Sequence, residues 1–161
     1  MPSLSAAYNP ALGPLIPIFI TLPAVLHAAS QIIATGGQQT NPVNVHAGNA
    51  LIDTGASITC ITPQLAQMVG LPLIGKRNMG TASGTAPSNV YLADLAIPFG
   101  AIPAASPGQT VQAQVNAVTL PSIAVVEFQC PSPHFNMLLG RDILCTGIFT
   151  LGFDGRFTFS I

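Results

Sequence analysis

The sequence has 161 residues, 49% of them hydrophobic, which suits one compact domain better than two. Only 6% are charged, against about a quarter in an ordinary globular protein, so surface polarity must come from Ser, Thr, Asn, Gln and backbone groups, and self-association is favoured. Four basic and five acidic residues give a formal net charge of −1 with no clustered run of either sign, which excludes an electrostatic footprint for nucleic acid or for an anionic membrane.

Fifteen Gly and fifteen Pro break the chain into short segments and point to a mainly β protein with many turns. Residues 1–14 are small and polar and read as a loose N-terminal arm ahead of a single domain spanning 15–161. Ile16 to Leu22 is β-branched and aromatic and reads as a strand, with Pro17 confining it to an edge or to its own start. Pro23 opens a helix over Ala24 to Ala34 that Gly36-Gly37 stops. The apolar stretch from Leu12 to Ala29 is interrupted by Pro14, Pro17 and Pro23 and has no Lys or Arg before it, so it reads as strand plus helix rather than a signal peptide. The expected location is cytoplasmic, with no spanning helix.

Val43 to Ala47 alternates like a half-buried strand, Gly48-Asn49 is a turn signal, and Ala50-Leu51-Ile52 runs into Asp53. Ile58 to Ile61 reads as a strand. Thr62 as N-cap, Pro63 at the first position and Gly70 as stop frame the best-defined helix. Strands at Asn78 to Ala82 and Val90 to Ile97 flank a turn region over Ser83 to Pro87, a hairpin. Phe99 to Gln109 is a Pro/Gly/Ala linker, Val111 to Val118 alternates, and Ile123 to Phe128 is a strongly apolar strand. Met137-Leu138-Leu139 leads into a short helix over Gly140 to Leu144, and Phe149 to Phe159 is a hairpin around Asp154-Gly155. No repeat period is present.

Of the acidic residues Asp53, Asp94, Glu127, Asp142 and Asp154, only Asp53 stands in an Asp-Thr-Gly context. An apolar strand ending abruptly in Asp-Thr-Gly presents a carboxylate where the backbone turns, although the tripeptide by itself is also ordinary turn composition. Hydrolysis of a peptide bond by carboxylates needs two of them sharing one proton, one activating a water and the other polarising the scissile carbonyl. With no second Asp-Thr-Gly in the chain, the second carboxylate must come from another copy across a two-fold axis. Thr54 would then hydrogen-bond across to the opposite loop, and Gly55 would let the backbone turn closely beside the pair.

Other reactive residue types lack such a context. His27, His46 and His134 have no ligand spacing, so no metal and no cofactor is expected. Cys60, Cys130 and Cys145 are odd in number and read as buried free thiols. Asp142 reads as a helix-start acid favoured by the dipole.

Ala50 to Ser57, taken with Met137-Leu138-Leu139-Gly140-Arg141-Asp142 and a hairpin between them, resembles the retropepsin-like aspartic proteases. The helix ahead of the Asp loop and the closing Phe153-Asp154-Gly155-Arg156-Phe157-Thr158 hairpin are similar to small bacterial members. The resemblance implies an acid-protease β-barrel with two or three short helices and a flap hairpin. It implies an aspartic endopeptidase active as a homodimer on peptide or protein substrates, with Asp53 catalytic. Thr54, Gly55, Leu139 and Gly140, with Leu138, would support the loop, and Ala56, Ser57, Ser83, Gly84 and Thr85 would meet substrate, Gly84 marking the flap tip. Viral members place a carboxylate where Ser57 stands, there pairing with the Arg of the helix, so Arg141 is expected on a backbone carbonyl or on Asp94. The alternative within the same resemblance is a catalytically weak or inactive dimerisation or peptide-binding module.

Overall fold

The computed structural model describes residues 1–23, 45–81, 84–99, 116–129 and 132–161. Among them, strands β2 (Leu15–Thr21), β3 (His46–Ile52), β4 (Cys60–Ile61), β5 (Leu73–Thr81), β6 (Gly84–Phe99), β7 (Asn116–Glu127) and β8 (Met137–Leu139) form one sheet in the order β2-β3-β8-β4-β7-β6-β5. A further β2–β6 pairing joins the ends of the first six and closes them into a barrel. Strand β5 stays outside the ring, bound only to β6.

The alternation of β2 sends Ile16, Ile18 and Ile20 into the barrel, each at most 1% exposed. Pro17 pairs with Asn49 of β3, while β6 joins β2 only from Phe19 onward, so the proline lies in the half of the strand that has one neighbour. Strand β6 changes character along its length. Residues 84–87 are exposed and 93–99 are buried, because its first part leaves the barrel with β5 as a projecting hairpin.

Residues 3–7, read from the sequence as part of a loose arm, form strand β1 (Ser3–Ala7) on β10 (Arg156–Ser160), which also pairs with β9 (Ile148–Leu151). Phe157 and Phe159 from β10 are buried under this three-stranded sheet. The β9–β10 turn is the expected Asp-Gly one, with Gly155 at φ 74°.

Helix α1 (Pro63–Val69) follows its sequence signals: Thr62 occupies the N-cap position, Pro63 the first turn, and Gly70 closes it at φ 73° by donating its N–H to Ala66 and Gln67 carbonyls. The Thr62 hydroxyl makes no capping bond. Leu65, Ala66 and Val69 form the face packed on the core. Helix α2 (Arg141–Leu144) is one turn, as expected.

Two turn expectations are overturned. Gly48-Asn49 is no turn but the interior of β3, because pairing with β2 outweighs local turn preference and the Asn49 N–H donates to Asn136 Oδ1 at 3.0 Å. Gly48 is required there for space: a Cβ would sit 2.8 Å from that same oxygen. Residues 84–87 likewise belong to β6, with pairing continuing to Thr81 opposite Gly84. The end of the alternating segment, from residue 116, and the apolar strand expected after it are continuous in β7, which bends at Ser122 (φ 54°) opposite a bulge between Ala93 and Leu95, while residues 111–115 lie outside the described residues. The helix expected over Ala24 to Ala34, the start of the Val43 strand, most of the linker, Ser83 and Cys130 lie outside the described residues.

Candidate active site

Strand β8 holds the site together. It runs parallel to β3, Ile52 opposite Leu139, and antiparallel to β4, Cys60 opposite Leu138. The chain therefore leaves the sheet at Asp53 on one side of β8 and returns as β4 on the other. The intervening loop is pinned at both ends: the Asp53 N–H donates to Leu139 O at 3.1 Å, and the Arg141 N–H donates to Ala56 O at 2.9 Å. Gly140 passes directly under the loop, where a Cβ would lie 2.5 Å from the Ile58 carbonyl carbon.

Within this frame the half-buried Asp53 folds one carboxylate oxygen back on its own turn. Oδ1 accepts from Gly55 N–H at 2.8 Å and Ala56 N–H at 3.2 Å. Oδ2 has no protein partner among the described residues and stays available for chemistry. Gly55 keeps the carboxylate uncrowded, since a Cβ there would stand 3.1 Å from Oδ1. Thr54 is exposed at the loop's apex.

Asp142 does more than begin a helix. Its Oδ2 accepts from the Thr59 N–H at 2.9 Å and its Oδ1 from the Thr59 hydroxyl at 2.8 Å, while the Gly140 N–H donates to that hydroxyl at 3.1 Å. Charge-assisted bonds thus tie α2 to the segment leaving the Asp53 loop. Asp142→Ala should lower stability by about 2 kcal/mol, read from the urea midpoint, with the buried Thr59 hydroxyl left short of a partner. Arg141 does not reach Asp94. Asp94 is fully buried at the bulge, where its Oδ1 accepts the Ser122 N–H at 2.7 Å, and the Arg141 side chain forms no ion pair among the described residues.

A cleft of about 910 Å³ opens over the loop. Asp53 and residues 55–58 line it with Leu138, residues 77–80 of β5 and Ala86 and Ser88 of β6 face it from the hairpin, and residues 127–129, from the end of β7 onward, bound it. Of the residues expected to meet substrate, Ala56 and Ser57 are on this lining. Gly84 and Thr85 are not, because the long hairpin carries them beyond the cleft, and Ser83 is outside the described residues. Leu139 and Gly140 are buried behind the loop. Sequence reasoning missed Arg77, Met79 and Glu127. Glu127 had one available signal, an acid ending a strongly apolar strand.

Cys60 also touches the cleft and is buried, whereas Cys145 is exposed, which corrects the expectation that the thiols are all buried. Burial, then the negative charges of Asp142 and Asp53, push the Cys60 thiol up to about 11. Iodoacetamide at neutral pH should label Cys145 and spare Cys60 until the chain is unfolded, as read by peptide mass. Because the folded value exceeds the ordinary 9.0, Cys60 stabilises the fold below that pH, and its contribution disappears as pH rises towards about 11. Among the described residues no group of three or more His, Cys, Asp or Glu could hold a metal, and no helix is long and apolar enough to cross a membrane.

Comparison with known proteins agrees with this geometry. No curated protein matches the chain. Among solved structures, a retropepsin-like aspartic protease from Rickettsia conorii superposes with a TM-score of 0.56 at 15% identity, over 98% of this chain and 89% of that one, so the two share a fold. The aspartyl protease family profile matches residues 40–143, which include the Asp53 loop, the hairpin, β8 and the start of α2, and the chain belongs to that family.

Proposed function

We propose that this protein is an aspartic endopeptidase that works as a homodimer, with one Asp53 from each chain. One observation supports this most: the Asp53 carboxylate stands on the lining of a large cleft, one oxygen fixed by its own loop and the other without a protein partner among the described residues. Two such carboxylates facing each other across a two-fold axis share one proton, since both cannot ionise easily side by side. The ionised one takes a proton from a water, whose oxygen attacks the scissile carbonyl carbon. The protonated one gives its proton to the carbonyl oxygen. Collapse of the resulting diol breaks the C–N bond, with a proton passing to the leaving amine. Thr54, exposed at the apex, hydrogen-bonds to the opposite loop, and the β5–β6 hairpin lies along an extended peptide.

The test is concentration. Cleavage of a mixed peptide library per chain should rise in step with the dimer fraction measured by sedimentation. Added Asp53→Asn chains should poison wild type by forming dimers with one carboxylate, so activity falls with the square of the wild-type fraction. Cleavage per chain that is independent of concentration in a monomeric sample would overturn the proposal.

A further inference from the structure

Glu127 is the second carboxylate on the lining of the cleft. It ends β7 opposite Ile61 of β4 and is half-buried. Two side chains of β6 hold it: the Tyr91 hydroxyl donates to Oε2 at 2.7 Å and Asn89 Nδ2 donates to the same oxygen at 3.0 Å. Asn89 Nδ2 also lies 3.3 Å from the Tyr91 oxygen, so the three groups form a closed triangle. Burial, and after it the bond to Glu127, raise the Tyr91 hydroxyl above its ordinary value and keep it a donor.

Both of these bonds go to Oε2. Oε1 has no protein partner among the described residues, and Glu127 forms no ion pair there. A partly desolvated carboxylate with one oxygen fixed and one unused is a preorganised acceptor for a cationic donor. The basic residue on the cleft lining, Arg77 on β5, is exposed and forms no ion pair among the described residues, so solvent screens its repulsion of an incoming cation.

We infer that Glu127 is a specificity-determining residue that receives a Lys or Arg side chain of the peptide substrate near the scissile bond, the two-fold axis supplying one such subsite on each side. This rests on the peptidase reading above. Tyr91 and Asn89 act through Glu127 as positioning residues.

The experiment profiles one mixed peptide library in two ways, by cleavage with wild-type protein and by capture on immobilised Asp53→Asn protein. Each is repeated with the near-isosteric Glu127→Gln and the charge-reversed Glu127→Lys, whose folding is checked by thermal melts. Wild type should enrich Lys and Arg about tenfold at two positions, one on each side of the scissile bond. Glu127→Gln should lose that enrichment there and nowhere else, and Glu127→Lys should turn it towards Asp and Glu. Cleavage without basic enrichment, or enrichment that survives Glu127→Gln, overturns the inference and leaves the peptidase reading intact. Capture of basic peptides that depends on Glu127, with no cleavage by wild type, removes the peptidase reading and retains the subsite. Neither cleavage nor Glu127-dependent capture overturns both.

Discussion

Asp53→Asn is expected to lower peptide cleavage by about 1000-fold or more, the scale of lost general acid–base catalysis, while leaving fold and oligomeric state unchanged. The side-chain amide is isosteric with the carboxylate, and its oxygen can still accept the Gly55 and Ala56 N–H groups that Asp53 Oδ1 now accepts. The loop therefore keeps its shape. On the mechanism proposed above, what is lost is the ability of two facing groups to share a proton and pass it between water, carbonyl oxygen and leaving nitrogen. Turnover on a library-selected peptide, measured beside sedimentation and a thermal melt, separates chemistry from structure. A variant that still cleaves within tenfold of wild type would reduce Asp53 to a turn residue and sink the mechanism.

Gly140→Ala is expected to destabilise the protein by about 3 kcal/mol, at the upper end of overpacking costs, and to abolish activity with it. Gly140 has φ −85°, a value alanine adopts freely, so backbone strain is not the cause. The cause is contact. The new Cβ would meet the Ile58 carbonyl carbon at 2.5 Å, its oxygen at 2.6 Å and the Thr59 nitrogen at 2.8 Å, all backbone atoms that no rotamer change can move. Relief requires β8 and the segment leaving the Asp53 loop to separate, which strains the bonds from Gly140 and Asp142 to Thr59. Gly70→Ala is the control: φ 73° and open space make its cost conformational, about 1 kcal/mol, with activity retained. Urea midpoints and turnover on the two variants should diverge accordingly, and equal effects would contradict the packing argument.

Some of this architecture could be read in the sequence because its causes are local. The alternation of Ile16, Ile18 and Ile20, the Thr62-Pro63 start and Gly70 stop of α1, and the Asp154-Gly155 turn each depend on residues close along the chain. The Asp53 loop was legible as a composition, and its meaning came from the resemblance that linked it to residues 137–142. A three-residue strand such as β8 is too short to show a period. Gly48-Asn49 misled because turn propensity is weaker than strand pairing, here with β2, and the start of β6 misled for the same reason through its pairing with β5. Asp142 is the helix-start acid expected, but its bonds to Thr59 were not legible because that partner lies 83 residues away. Glu127 looked unremarked because Tyr91 and Asn89 are 36 and 38 residues from it. Nothing in a linear pattern joins such positions.

The threading of β8 between β3 and β4 also bears on the order of folding. The bonds that fix the loop after Asp53 span 81 and 83 residues, so their loop-closure entropy must be met before the site exists. During synthesis the Asp53 segment emerges long before residues 137–142 can slide beneath it. A nascent chain that has reached only the end of β7 is expected to hold the Asp-Thr-Gly sequence without its scaffold, and the aspartate acquires a fixed position only when the late segment docks. Pulse-labelling hydrogen exchange during refolding should find the Asp53 and Thr59 amides protected with those of Gly140 and Arg141, in one late phase.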